Sequence, residues 1–372
     1  MMPHNSEGSG LRAPGSGSER SGPRAPLPSA PPARPGVPGR ASPEPRAACR
    51  GSILLFVVWT VTLLSLFAAS VASHATAALG LTERLSERLR AAYVARGAAQ
   101  YAALALEMDD SASSDGFEEL WSDNPGFFMD HPVGGGTFRI TAEEPLPEGQ
   151  TRYGLTDEDR RINLNTAPQE VLHRFFQLAG LREDEAAGLA AAVEDWRDED
   201  DKSVSGGAEN SYYRGLDDAY DCKNGPFESV EELLLVRGMT PALYHRLEPH
   251  VTVYGSGQLN VNTADRMALR SLGLSELGAN GVIFYRAGED NVEGTADDRR
   301  LPSPDALATE WAPDVPAEDL ARLTPLIQKS FLGVKSEGFR LVIQARPEHG
   351  SSELRVFCIM DRDGAIRRWN EL

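Results

Sequence analysis

Two acidic stretches hold the side chains most suited to chemistry in this chain. Asp195–Asp221 reads DWRDEDDKSVSGGAENSYYRGLDDAYD, and Gly288–Asp298 reads GEDNVEGTADD. Both place carboxylates and amides at close spacing. Ca²⁺ takes about six to eight such oxygens, often on a loop that contains glycine. In the second stretch Asp290, Asn291, Thr295, Asp297 and Asp298 supply the oxygens, and Gly288 and Gly294 permit the turns. Neither stretch follows the full EF-hand pattern, so a solvated acidic loop is the competing reading. Catalysis has no comparable signal. Seven histidines show no HExxH spacing, and no serine lies in a GxSxG turn. No catalytic residue is assigned.

These loops must be held by a larger frame, and its first part is legible at the amino terminus. The chain has 372 residues and a net charge of −18. Residues 1–50 carry seven arginines against three glutamates, +4, so the remainder carries −22. The leader is rich in Pro, Gly, Ser and Arg and too poor in apolar residues to fold. It ends at Arg50-Gly51-Ser52, and an uncharged apolar run, Ile53 to Ser73, begins at once. About 20 apolar residues span a bilayer as one helix. A secretory signal carries its small-residue cleavage site after the apolar segment. Here Gly51 precedes it, which is the order of a prepilin: Gly51 is the residue before the cut and Ser52 the first mature residue. Pilin subunits usually carry glutamate at mature position five, where this chain has Phe56. A bare carboxylate in hydrocarbon is costly without a partner. A subunit with nothing ahead of it in a filament does better without one, which points to the tip. The basic leader predicts a cytoplasmic amino terminus, and the acidic remainder then lies in the periplasm.

The helical pattern continues past the apolar run, and one helix is expected over 52–108, about 85 Å long, spanning the membrane over 53–73. Leu81, Leu85, Leu89, Ala92, Tyr93 and Arg96 are read as its core stripe. Thr137–Ala142 and Thr151–Leu155 predict a hairpin. Phe339–Ala345, Glu353–Met360 and Ala365–Trp369 predict three more strands, the last turn being Arg362-Asp363-Gly364. Roughly 180 helical-looking residues separate the two β groups. The fold class is α+β: a long amino-terminal transmembrane helix and a small β-sheet domain, 109–156 with 336–372, interrupted by a large all-α insert, 157–335. The insert repeats. Ile162-Asn163-Leu164-Asn165-Thr166-Ala167 returns 97 residues later as Leu259-Asn260-Val261-Asn262-Thr263-Ala264, giving related halves 157–255 and 256–335. Thr166 with Gln169 and Ser229 with Glu232 read as capping boxes. Thr240-Pro241 and Thr324-Pro325 read as helix starts.

The acidic body argues against a nucleic-acid partner. Helix-hairpin-helix modules need basic, glycine-rich turns at phosphate, and Leu178–Glu185 is acidic with one glycine. Cys49 would leave with the leader. Cys222 and Cys358 either pair, as an oxidising compartment permits, or remain two buried thiols.

Taken together, the chain over about 46–372 resembles the type II secretion system protein K family. The resemblance is carried by RGSILLFVVWTVTLLSLFA, INLNTAP, Asp195-Trp196, GAENSYY, PFESVEELLLVRGMTPALY, VTVYG and LNVNTA. It implies a minor pseudopilin at the pseudopilus tip that joins minor pseudopilins I and J and helps start filament assembly. Prepilin peptidase would remove residues 1–51. It further implies Ca²⁺ in the α-domain, with Asp198, Asp200 and Glu209 as candidates in the first loop; Asp290, Asn291, Asp297 and Asp298 stay candidates in the second loop on their own chemistry. The runner-up is a periplasmic binding protein anchored in the inner membrane, or a minor pilin of a related type IV pilus system.

Overall fold

The computed structural model describes residues 51–109, 113–142, 151–349 and 352–372, and of Gly51 and Ser52 the backbone. The leader, 1–50, lies outside the described residues. The chain divides into two units, one ending at Ala69 and the other running from Ser70 to Leu372. Helix α1, Gly51–Glu107, is continuous over 57 residues and is long and apolar enough to cross a membrane. Within the first unit its large side chains, Ile53 through Phe67, are exposed. The hydroxyls of Thr60, Thr62 and Ser65 donate to the carbonyls of Val57, Val58 and Val61. Its polar groups are thus satisfied inside the helix, as a lipid environment requires.

The second unit continues as α2 (Pro125–Phe128), β1 (His131–Val133), β2 (Gly136–Thr141) and β3 (Thr156–Asp157). Then come β4 (Ile162–Asn163), α3 (Gln169–Leu178), α4 (Glu183–Arg197), α5 (Asn210–Tyr213), α6 (Pro241–Leu247) and β5 (Val251–Thr252). After them follow β6 (Leu259–Asn260), α7 (Arg266–Ser271), α8 (Glu276–Arg286), α9 (Leu307–Glu310), α10 (Ala317–Gln328) and β7 (Leu332–Gly333). The chain closes with β8 (Gly338–Pro347), β9 (Leu354–Asp361) and β10 (Ile366–Glu371). One antiparallel sheet has the order β1-β2-β8-β9-β10, and β3 also pairs with β8. Strands from either side of the helical region are therefore direct neighbours. Phe339, Leu341, Ile343 and Ala345 alternate along β8 to form one core with Ala91, Val94, Ala95, Ala98, Ala99 and Ala102 of α1. Residues between Ile162 and Val334 form a second core of their own.

Several sequence expectations are corrected. Leu81, Leu85, Leu89, Tyr93 and Arg96 are not the packed stripe of α1 but its exposed face, and Ala92 is half-buried. The sheet takes the alanine face because small side chains let the helix approach closely. A side chain on Gly136, for example, would run into Val94 and the backbone of Arg346. Among the described residues Thr151–Leu155 is not a strand and meets the end of β2 only through the Ala142 amide, which donates to the Arg152 carbonyl (3.0 Å); 143–150 lie outside the described residues. β2 turns instead onto β1 through Gly134 and Gly135, both at positive φ, the turn geometry that suits two paired strands. Thr166 does not cap α3, whose N-cap position is Pro168; its hydroxyl donates to the Gly257 carbonyl. Thr324-Pro325 does not start a helix, since Pro325 lies inside α10, which follows Pro316. Thr240 does cap α6, and Ser229 with Glu232 forms a capping box at the start of the short 3-10 helix Val230–Leu235. Cys222 and Cys358 are free, buried thiols in different cores.

The two cores meet at a polar junction built on three consecutive carboxylates. Asp157 accepts from Asn260 Nδ2 (3.1 Å), Thr263 Oγ1 (2.5 Å) and Ser336 Oγ (2.6 Å). Asp159 accepts from Ser256 N and Oγ (2.7 and 2.8 Å) and from the amides of Glu337 and Gly338. Glu158 pairs with Arg340 and Arg161. Burial, with Asp159 alongside, pushes Asp157 up to about 8. Burial also lifts Glu158, but Arg340 and Arg161 outweigh it and hold that carboxyl below its ordinary range.

Candidate functional site

Each acidic loop leaves the end of a helix that an arginine has fixed in place. Arg197, the last residue of α4, donates to the carbonyls of Leu164 (2.6 Å) and Ala167 (2.8 Å) and pairs with Glu194. Arg286, the last residue of α8, donates to the carbonyls of Val261 (3.3 Å) and Ala264 (2.8 Å) and pairs with Glu293. The asparagines of the two NxNTA segments act in parallel as well. The Asn165 side chain exchanges hydrogen bonds with the backbone of Phe227 (3.0 and 2.7 Å). Asn262 does the same with Leu301 (3.1 and 2.8 Å).

In the first loop the carboxylates of Asp195, Asp198 and Glu209 converge, with one oxygen from each within 4.8 Å of the others. Asp195 is fully buried and accepts from Ser203 Oγ (2.9 Å) and Val204 N (3.0 Å). A side chain at position 207 would collide with it, so Gly207 gives the loop room to close over Asp195. Glu209 is 2% exposed. Both its carboxylate oxygens are buried with no hydrogen-bond partner. Burial, followed by the charges of Asp195 and Asp198, pushes Glu209 up to about 7; burial raises Asp198 too. Among the described residues no lysine or arginine pairs with any of the three. Such a cluster is costly when all three carboxylates are ionised and unpaired. The set differs from the sequence expectation at two positions. Asp200 stays outside, exposed, and accepts from the Lys202 amide (2.8 Å). Asp195 was missed, though its place one helical turn before Asp198 sets both on one face.

The second loop spends its side chains on itself. Asp297 accepts from Thr295 Oγ1 (2.7 Å) and from the amides of Glu289 (2.6 Å) and Asp290 (3.1 Å). The Thr295 hydroxyl, then those amides, hold its carboxyl below the ordinary range. Asp290 accepts from Val292 N (2.8 Å), Asp298 from Gly294 N (2.7 Å), and Asn291 sits at positive φ. Among the described residues no three carboxylates converge there.

A second feature is a bare apolar ridge. Leu81, Leu85, Leu89 and Tyr93 are 60, 54, 61 and 70% exposed. They recur every fourth residue along α1, so they stand on one side of the helix. Phe56 and its apolar neighbours are exposed in the first unit.

A family profile described as Type II secretion system (T2SS), protein K matches residues 153–256. Type II secretion system protein K of Klebsiella pneumoniae is 30% identical over 230 residues, covering 59% of this chain and 68% of that protein. The protein of the same description from Pectobacterium carotovorum is 27% identical over 225 residues, covering 58% and 66%. In fold the chain is similar to a chain in the crystal structure of the GspK-GspI-GspJ complex from the enterotoxigenic Escherichia coli type 2 secretion system. That match has a TM-score of 0.55 at 21% identity and covers 78% of this chain and 97% of the other. The chain belongs to the type II secretion system protein K family.

Proposed function

We propose that this chain is a minor pseudopilin that caps the tip of the pseudopilus and helps initiate its assembly with pseudopilins I and J. The observation that carries this reading is the ridge Leu81, Leu85, Leu89 and Tyr93. These side chains continue the apolar run of α1, yet the chain's own sheet packs on the opposite face. Apolar area left uncovered in this way favours a neighbouring subunit. The complex named for the structural relative, with GspI and GspJ, supplies the partner class. In this reading prepilin peptidase removes residues 1–51, α1 sits in the inner membrane, and the head is periplasmic. The sheet region is 109–156 with 336–372. The inserted α-domain, 157–335, is a duplication with halves 157–255 and 256–335. The parallel roles of Arg197 and Arg286, and of Asn165 and Asn262, support that duplication. Asp195, Asp198 and Glu209 hold a structural Ca²⁺.

The test is co-purification of the full chain with pseudopilins I and J of the same organism. Leu85→Asp with Leu89→Asp should abolish the complex while the head melts as before, because both side chains are exposed in the free protein. A double variant that still assembles would overturn the reading.

A further inference from the structure

We infer that the α1 ridge selects a partner helix whose own apolar ridge is flanked by carboxylates; this rests on the assembly role proposed above. The chain beyond the leader is strongly acidic, yet between Leu81 and Arg96 four arginines stand against two glutamates. Helix geometry sorts these charges. At about 100° per residue, Glu83 and Glu87 project about 160° away from Leu85, on the side opposite the ridge. Glu87 is engaged there by the Ser352 hydroxyl at 2.8 Å. Arg88 and Arg90 border Leu89 on either side, and Arg96 falls about 20° from the line of Leu85. Arg88 pairs with Glu371. Among the described residues Arg90 and Arg96 are exposed and meet no carboxylate.

The face left for a partner is therefore leucine bordered by cations, on a molecule whose remainder is anionic. Charges that border an apolar helix seam choose partner and orientation more than they add affinity. A helix with acidic borders is admitted, and one with basic borders is rejected. A second copy of this ridge would be rejected as well, because it would set arginine against arginine. Anionic lipid is out of reach as the intended partner. Arg90 lies 17 residues past Ser73, about 25 Å of helix, whereas headgroups extend about 5–8 Å beyond the hydrocarbon.

The test uses the full chain in detergent with pseudopilins I and J of the same organism. Arg90→Glu with Arg96→Glu should weaken the complex about tenfold at low salt, and the difference should shrink at high salt. Arg90→Gln with Arg96→Gln should fall between, and both variants should melt like the wild type. Charge-reversed protein that binds as tightly as wild type at low salt would overturn the inference and leave the assembly role standing. A wild-type chain that captures neither pseudopilin would overturn the assembly role and this inference with it.

Discussion

Glu209 places two carboxylate oxygens in the interior with no well-formed hydrogen bond, only the weakly donating Cys222 thiol against them, beside two further carboxylates. A native protein tolerates that arrangement when a cation completes it. Chelation should therefore lower the melting temperature of the protein and added Ca²⁺ should restore it. Ligand at about 100 times its Kd stabilises by about 2.7 kcal/mol, or roughly 5–10 °C for a region of this size. Glu209→Gln should remove the Ca²⁺ response. Identical melts of the wild type with and without chelator would contradict the metal assignment. Asp157 sets a different dependence. Its folded-state pKa, about 8, lies above the unfolded value of 3.8. The folded state thus holds the proton more tightly, and the stabilisation is complete below about pH 4 and lost as pH rises through about 8. At fixed Ca²⁺ the wild type should melt lower at pH 9 than at pH 6. Asp157→Asn should flatten that slope, and a variant as steep as wild type would contradict it. Asp198 and Glu209 were expected from the resemblance of the first loop to the family, within a stretch whose composition offers many oxygens. Asp195, the third carboxylate of the cluster, was hidden inside α4, where its helical neighbours make it read as part of a helix pattern.

At the scale of elements, α1 shows how a correct helix can be assigned the wrong inner face. Its extent was legible from an uncharged run followed by sustained helical spacing. The leucine stripe looked like a core because leucine is usually buried. Steric fit decided otherwise: the sheet accepts alanines at close approach and leaves the leucines outside. β8, β9 and β10 were legible from their alternation. The β1–β2 turn was missed because His131–Val133 is too short to show a period. Thr166 and Pro325 misled for a shared reason. Local cap and start signals were overridden by tertiary contacts, Thr166 being drawn to the Gly257 carbonyl and Pro325 absorbed within α10.

At the scale of the molecule, a sheet whose neighbouring strands come from before and after a helical region, sheet and helical region each with its own core, was foreshadowed by the two β groups at the ends of the acidic portion. The three junction carboxylates were not, since Asp157, Glu158 and Asp159 in sequence look like any solvated acidic turn. Apart from Arg161, their partners come from segments about a hundred residues or more away, brought near only by the fold. The account as a whole depends on an apolar helix that is retained after a basic leader is cut away. Mass spectrometry of the amino terminus, in cells that contain prepilin peptidase, tests this most directly. The expected mature chain begins at Ser52 and keeps Ile53 onward. A chain that retains its leader, or one that begins beyond Ser73, would contradict the account.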